Sequence, residues 1–183
     1  MGVVWETRSI QIKSNFALKS TFTLSNSERH SKKNCLTTWR RAIISQPMNY
    51  FLAKSEPGVY SIDNLSADRR TVWDGVRNAQ AVKAILSMRV GDTVFFYHSG
   101  GESQVVGVAR VVGSGRPDPK DPKSAVMDLE FVSKLAVPVT LGEIKQSGLF
   151  ADWALVRQSR LSTMAAPESF VTWMRKKAAD AGI

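Results

Sequence analysis

The chain has little of what metal centres and nucleophilic active sites are built from. Among 183 residues it contains one cysteine, Cys35, and two histidines, His30 and His98. A lone cysteine excludes an intrachain disulfide and a cysteine-ligated zinc site, and it is typical of a reducing compartment. Neither histidine has a nucleophile or an orienting carboxylate in a recognisable motif around it. The sequence therefore predicts no metal site, no cofactor and no enzymatic activity.

Two further patterns are missing from the sequence. No run of residues approaches the roughly 18 consecutive apolar positions that a membrane span requires. The glycine-rich signatures of nucleotide-binding enzymes, the Walker loop and the dinucleotide fingerprint, are also absent. Hydrophobic residues make up 43% of the chain and charged residues 22%, which is ordinary for a globular domain. We expect a soluble monomer that does not contact a membrane.

The net charge of +9 is unevenly distributed. Residues 1–47 carry eight basic and two acidic side chains, whereas residues 48–183 carry 17 and 14. A groove that binds a phosphate backbone by charge alone needs a stronger excess than residues 48–183 have. Charge is therefore weak support for a nucleic-acid partner.

Residues 1–47 differ in composition from the rest of the chain. They contain twelve Ser or Thr residues and show neither strand nor helix periodicity. Two interpretations stay open: a mis-called or disordered extension ahead of Met48, or a mitochondrial or plastid transit peptide. We expect one domain over residues 48–183, and a cytoplasmic protein unless the extension is a targeting signal.

The remaining sequence predicts a mixture of strands and short helices. Ser61 and Asn78 are suitable helix N-caps, Gly91 can close the second helix, and Pro167 suits a first helical position. We expect strands at 49–54, 92–98, 104–112, 125–134, 153–156 and 160–163, helices at 61–65, 78–90, 141–146 and 167–177, and loops at 99–103 and 113–122. This order favours an α+β pseudo-barrel.

Residues 73–78 carry a high density of recognition chemistry. Trp73 can stack on a base, Arg77 can bind a phosphate or a base carbonyl, and Asn78 and the backbone at Gly75 can bond to a base edge. The simpler interpretation makes Trp73 a core residue, Gly75 part of a turn and Asn78 a helix cap. From these residues alone both interpretations stay open.

Three other segments have similar chemistry. Residues 54–56 combine Lys, Ser and Glu, which can also be an exposed ion pair. His98, at the end of a predicted strand, is either structural or a ligand contact. Arg157 and Arg160 lie three residues apart and would face opposite sides of an extended segment.

Taken together, the motifs resemble the EVE domain family. The resemblance rests on residues 50–57, 73–78, 91–92, 96–99, 106–109, 117–119 and 160–162, in that order along the chain. It implies a PUA-like curved β-barrel of about five to six strands flanked by short helices, and a pocket suited to a modified base of DNA or RNA. Ala79 stands where many family members have an aromatic residue. Carried over by the resemblance, the base-binding residues are Lys54, Ser55, Glu56, Trp73, Gly75, Val76, Arg77, Asn78, Tyr97, His98, Ser99, Arg160, Leu161 and Ser162.

Three functions are compatible with the sequence. The first is a non-enzymatic domain that binds DNA or RNA and holds one flipped, modified nucleobase. The second is a nucleotide- or RNA-processing enzyme or accessory subunit that uses Glu56 or Asp74 as a general acid or base. The third is a module that binds a small molecule or another protein.

Overall fold

A computed structural model describes residues 48–179 and 183. The described residues belong to one compact unit, Pro47–Ile183. Both interpretations of residues 1–47 concern positions outside the described part. The elements are β1 (Tyr50–Ser55), α1 (Ile62–Asp68), β2 (Arg70–Val76), α2 (Ala79–Ser87), β3 (Thr93–His98), β4 (Gln104–Pro117), β5 (Ala125–Thr140), α3 (Leu141–Gln146), α4 (Ala154–Arg157), β6 (Thr163–Ala165) and α5 (Glu168–Lys177).

The strands form one six-stranded sheet in the order β2-β5-β4-β3-β1-β6. All neighbouring pairs are antiparallel except β1 and β3, which run parallel. The sheet curls into a half-barrel and leaves β2 and β6 as its two edge strands. The predicted α+β fold with about five to six strands and short flanking helices is confirmed.

The core is made of buried residues from the strands and from the helices packed against them. Strand β3 is buried at every position, and Phe95 and Phe96 are inaccessible to solvent. A second group of rings continues the core under α4 and α5, where Phe170 lies 5.2 Å from Phe95 and 4.5 Å from Trp153, centroid to centroid. Aromatic pairs of this kind add about 0.5–1.5 kcal/mol to the free energy gained from burial.

The side chains predicted to cap helices do so. The Ser61 hydroxyl accepts a hydrogen bond from the backbone N–H of Asn64, whose own side chain accepts from the Ser61 N–H. Asn78 Oδ1 accepts from the backbone N–H groups of Gln80 and Ala81. Each cap satisfies helix N–H groups that have no partner within the helix. Pro167, predicted as the first helical residue, is instead the N-cap of α5, and the helix begins at Glu168.

A β-bulge shapes the end of β2, which the sequence did not predict as a strand. Trp73 pairs with Met127 and Val76 with Ala125, so three steps along β2 match two along β5. Gly75 sits in the bulge with a φ of 73°, a conformation that side chains with a Cβ disfavour. The extra residue puts both Trp73 and Val76 on the buried side and leaves Asp74 and Gly75 exposed. A bulge has this effect because its additional residue interrupts the regular alternation of buried and exposed side chains along a strand.

Several predicted boundaries were wrong. The predicted loop at 113–122 is strand as far as Pro117. Strands β4 and β5 stay paired over this stretch because the register shifts on either side of Gly113 accommodate residues that do not fit a regular ladder. Strand β5 likewise continues to Thr140 rather than ending at 134. Helix α1 extends past 65 to Asp68. Helix α2 ends at Ser87 with Met88 as its C-cap, so Gly91 does not close it.

The two predicted C-terminal strands were also wrong. Residues 154–157 form a short helix, since the backbone N–H of Arg157 donates to the Trp153 carbonyl at 3.1 Å. The segment 160–162 is not a strand, and β6 begins only at Thr163, where pairing with β1 starts. Arg157 and Arg160 therefore do not alternate across an extended segment. Of the helices in the described part, none has the length and apolar character to cross a membrane.

Candidate functional site

A cavity of about 540 Å³ opens between edge strand β2 and the C-terminal end of β1. We call it the edge pocket. Its volume falls within the range of about 300–1,000 Å³ that is usual for ligand sites. The residues that line it are Lys54, Ser55, Glu56, Val59, Tyr60, Thr71, Val72, Trp73, Asp74, Gly75, Val76 and Ser162.

Trp73 gives the edge pocket an aromatic wall that is held in place. The side chain is 9% exposed, and its ring meets Phe96 edge-on, with centroids 5.5 Å apart and planes at 85°. Within the described part of the chain its indole N–H makes no hydrogen bond. Trp73 is thus a core residue that also lines the edge pocket, and its stacking on a base stays a prediction.

The free edge of β2 supplies backbone polar groups. Among the described residues, strand β2 hydrogen-bonds to β5 on one side and has no neighbouring strand on the other. An edge strand has a row of N–H and C=O groups without a ladder partner. Since the edge pocket lies along this edge, a bound molecule can bond to main chain as well as to side chains.

Residues 56–61 form the opposite wall and are tied down at several points. The Ser55 hydroxyl donates to the Tyr60 carbonyl at 2.7 Å. The N–H groups of Val59 and Tyr60 both donate to the Glu56 carbonyl at 2.9 Å. The Tyr60 hydroxyl donates to Asp68 at 2.9 Å, and burial is the main cause that raises the pKa of this phenol.

Lys54 joins β1 to the segment that precedes β6. Its backbone N–H donates to the Ser162 carbonyl at 2.7 Å, and its ammonium donates to the carbonyls of Gln158 and Ser159 at 3.4 and 3.2 Å. The ammonium also lies 5.7 Å from the centre of the Tyr97 ring. Burial lowers the pKa of Lys54. The pairing of Lys54 with Glu56 considered from the sequence does not form.

Two carboxylates, Glu56 and Asp74, line the edge pocket together with the Lys54 ammonium. Neither carboxylate makes a side-chain hydrogen bond or ion pair with another described residue. Ionised carboxylates accept hydrogen bonds and do not donate them. The edge pocket therefore offers acceptors for amino groups and has no net positive charge to attract a phosphate.

The mouth of the edge pocket is partly apolar. Val59 is 79% exposed and Val72 is 52% exposed, from opposite walls. Together with Trp73 they can contact an apolar substituent on a planar ligand.

The structure places the other predicted residues outside the edge pocket. Arg77 lines a neighbouring cavity of about 500 Å³ with Asp121, Pro122 and Lys123. Asn78 caps α2, while Arg160 is exposed and Leu161 is buried.

The strand end at Tyr97, His98 and Ser99 lies behind the pocket wall. The first two side chains are buried, and the backbone N–H and hydroxyl of Ser99 donate to the Ser55 carbonyl at 2.8 and 3.2 Å.

Sequence reasoning did not select four lining residues: Val59, Tyr60, Thr71 and Val72. Thr71 and Val72 were detectable in principle, since Thr, Val and Trp in succession are typical of a strand. No strand was predicted at 70–76, so that signal went unused. Val59 and Tyr60 have no motif of their own, and only the fold of residues 56–61 brings them to the edge pocket.

Comparison with known proteins agrees with the fold. The curled six-stranded sheet with short helices defines a PUA-like domain. The EVE domain family model matches residues 49–177, and the chain belongs to this family.

Relatives and solved structures are similar over most of the domain. Rat thymocyte nuclear protein 1 is 33% identical over an alignment of 125 residues, with 53% of this chain and 55% of that protein covered, so the chain spans about half the length of the curated relative. Rpa0253 of Rhodopseudomonas palustris is 35% identical with a TM-score of 0.67, over 72% of this chain and 94% of that one. Human THYN1 in complex with 5-methylcytosine-containing DNA is 26% identical with a TM-score of 0.64, over 70% of this chain and 96% of that one.

Proposed function

We propose that this chain is a non-enzymatic nucleic-acid-binding domain that holds one extruded, modified nucleobase in the edge pocket. The observation that carries the proposal is the pairing of a fixed aromatic wall, Trp73, with the free edge of β2 in one cavity of base-accommodating size. The DNA complex of human THYN1, which has the same fold, supports it.

The energetics suit a single base. Extruding a base from a duplex costs a few kcal/mol, and stacking on one aromatic ring returns about 1–3 kcal/mol. Hydrogen bonds to the β2 edge and to pocket side chains supply the remainder. The surplus is small, so we expect modest affinity and a preference for single-stranded or weakened sites.

The pocket chemistry favours cytosine among the bases. Glu56 and Asp74 can accept from the exocyclic amino group, as carboxylates do from cytosine N4. Val59 and Val72 provide apolar surface for a substituent such as a methyl group at C5. Thymine has the methyl group but a carbonyl in place of the amino group. It therefore separates the contribution of the carboxylate acceptors from that of the apolar surface.

The proposal is tested by binding the full chain to oligonucleotides that differ at one base: 5-methylcytosine, cytosine or thymine. Trp73→Leu removes the stacking wall and is expected to abolish the preference among the three. Trp173→Leu is the matched control, because Trp173 packs on Phe170 in α5 and lies outside the edge pocket. Equal binding of all three oligonucleotides by the wild type contradicts the proposal.

The two pocket carboxylates favour one alternative, a nucleotide- or RNA-processing activity with Glu56 or Asp74 as general acid or base. Glu56→Gln separates the two functions. If the protein only binds nucleic acid, neither the wild type nor the variant forms product from any oligonucleotide. If it is an enzyme, the wild type forms product, and the variant still binds but loses turnover.

A further inference from the structure

His98 is a buried polar side chain that contacts the pocket wall from behind. It ends β3 and is 5% exposed. Its Nε2 lies 3.1 Å from the backbone nitrogen of Ile62, and its Nδ1 lies 2.7 Å from a carboxylate oxygen of Glu102. The imidazole therefore joins the start of α1 to the loop between β3 and β4.

The two contacts select one tautomer of the ring. A backbone N–H only donates, so Nε2 accepts from Ile62 and carries no proton. The ring proton is on Nδ1 and is donated to Glu102, whose pKa is lowered first of all by this hydrogen bond. The same Glu102 oxygen also accepts from the Gln104 side chain at 3.0 Å, which holds the carboxylate in place. The tautomer and the orientation of His98 are thus set from both sides.

Residues 56–61 are held at both of their ends by hydrogen bonds to His98 and Ser99, where β3 ends. On the side of β1, the Ser99 N–H donates to the Ser55 carbonyl at 2.8 Å. On the side of α1, the Ile62 N–H donates to His98. Glu56, Val59 and Tyr60, which line the edge pocket, lie between these two points. The position of this wall relative to Trp73 therefore depends on a hydrogen-bond acceptor for the Ile62 N–H, which His98 Nε2 provides.

We propose that His98 is a positioning residue for the edge pocket, which anchors α1 at Ile62 and thereby sets the distance between residues 56–61 and Trp73. This inference rests on the proposed function, because it names what holds that site in shape. It assigns His98 a role without contact to the base.

The test compares His98→Gln with His98→Asn in the full chain. The Gln carbonyl reaches the place of Nε2 and can accept from Ile62, whereas the shorter Asn carbonyl reaches only the place of Nδ1. We expect His98→Gln to bind a 5-methylcytosine oligonucleotide within about threefold of the wild type and His98→Asn to bind about tenfold more weakly, a loss equivalent to one hydrogen bond. Amide exchange at Ile62, measured by NMR, is expected to stay slow in His98→Gln and to become fast in His98→Asn.

The outcomes separate the two proposals. Equal affinity of both variants and the wild type overturns the positioning role, and so does an equal loss in both variants, since then the acceptor is irrelevant. A wild type that binds the modified and plain oligonucleotides alike overturns the proposed function instead. In that case the exchange of the Ile62 amide still decides whether His98 anchors α1: slow exchange in both variants overturns the anchor.

Discussion

Arg77 Nε lies 2.8 Å from Asp121 Oδ2, which joins the end of β2 to a loop 44 residues further along the chain. The Arg77 side chain is 78% exposed. The pKa of Asp121 is lowered first by a hydrogen bond from the Lys123 backbone N–H and then by the Arg77 side chain. A residue predicted to contact the ligand is therefore engaged with a carboxylate beside the edge pocket.

Releasing Arg77 is expected to strengthen nucleic-acid binding. In Asp121→Asn the guanidinium loses its carboxylate and becomes available to a phosphate, so affinity should rise with little change in stability. When Arg77→Gln is added to Asp121→Asn, affinity should fall again, and the slope of log affinity against log salt should decrease by about one. Titrations at several salt concentrations check both.

Lys145→Gln is the charge-matched control for Arg77→Gln. Lys145 is exposed on α3, which contributes no residue to either cavity. The same loss of affinity in both variants would show that only the overall charge matters.

The contact between Trp73 and Phe96 is expected to contribute more to the free energy of unfolding than the burial of apolar area alone. Replacing either ring by Leu should destabilise the protein, and the double variant should lose less than the sum of the two. The difference, about 0.5–1.5 kcal/mol, is the usual value for an edge-on aromatic pair. Denaturant unfolding of the four proteins in this cycle measures it. Strict additivity would mean that Phe96 does not hold Trp73 in position.

Gly115 permits the close approach of α2 to β4. A Cβ at this position would lie 1.7 Å from the Ile85 carbonyl oxygen, and backbone cannot move aside as a side chain can. Gly115→Ala is therefore expected to cost about 1–3 kcal/mol or more. Gly101→Ala is the control, because a Cβ there meets nothing within 4 Å. Equal unfolding free energies of the two variants would contradict this packing.

The cap of α3 is expected to give a pH-dependent contribution to stability. The Thr140 backbone N–H donates to Glu143 at 3.0 Å, and this bond is the main cause that lowers the pKa of Glu143 below its ordinary 4.5. A carboxylate with a lowered pKa stabilises the fold above its unfolded pKa, and the effect disappears as the pH falls through the folded pKa. Thr140→Ala, which removes the hydroxyl cap, should cost about 0.5–2 kcal/mol at neutral pH.

Glu143→Gln tests the titration itself. Glutamine can still form the reciprocal cap but does not titrate. The stability difference between wild type and Glu143→Gln should therefore be constant at neutral pH and shrink below about pH 4.5. A difference that persists unchanged into acid would assign the effect to packing.

The helix caps show where sequence reasoning was sufficient. Ser61 and Asn78 begin helices through contacts within four residues, so local chemistry decides them. The buried strand β3 is likewise evident from its continuous apolar run. The boundaries that were wrong, at 113–117 and 153–157, depend on pairing or packing with distant residues.

The sequence by itself determined the fold class, the family and the chemical types gathered near Lys54 and Trp73, because motif order and local propensity are properties of the chain. Only the tertiary structure decided which of these side chains share a cavity. The curl of the sheet brings the β2 edge to the end of β1, and the bulge at Gly75 turns Trp73 and Val76 to the same side. Arg77 and His98 lie outside the edge pocket, where they bond to Asp121 and to the Ile62 backbone. These are relationships between residues tens of positions apart, on which local periodicity carries no information.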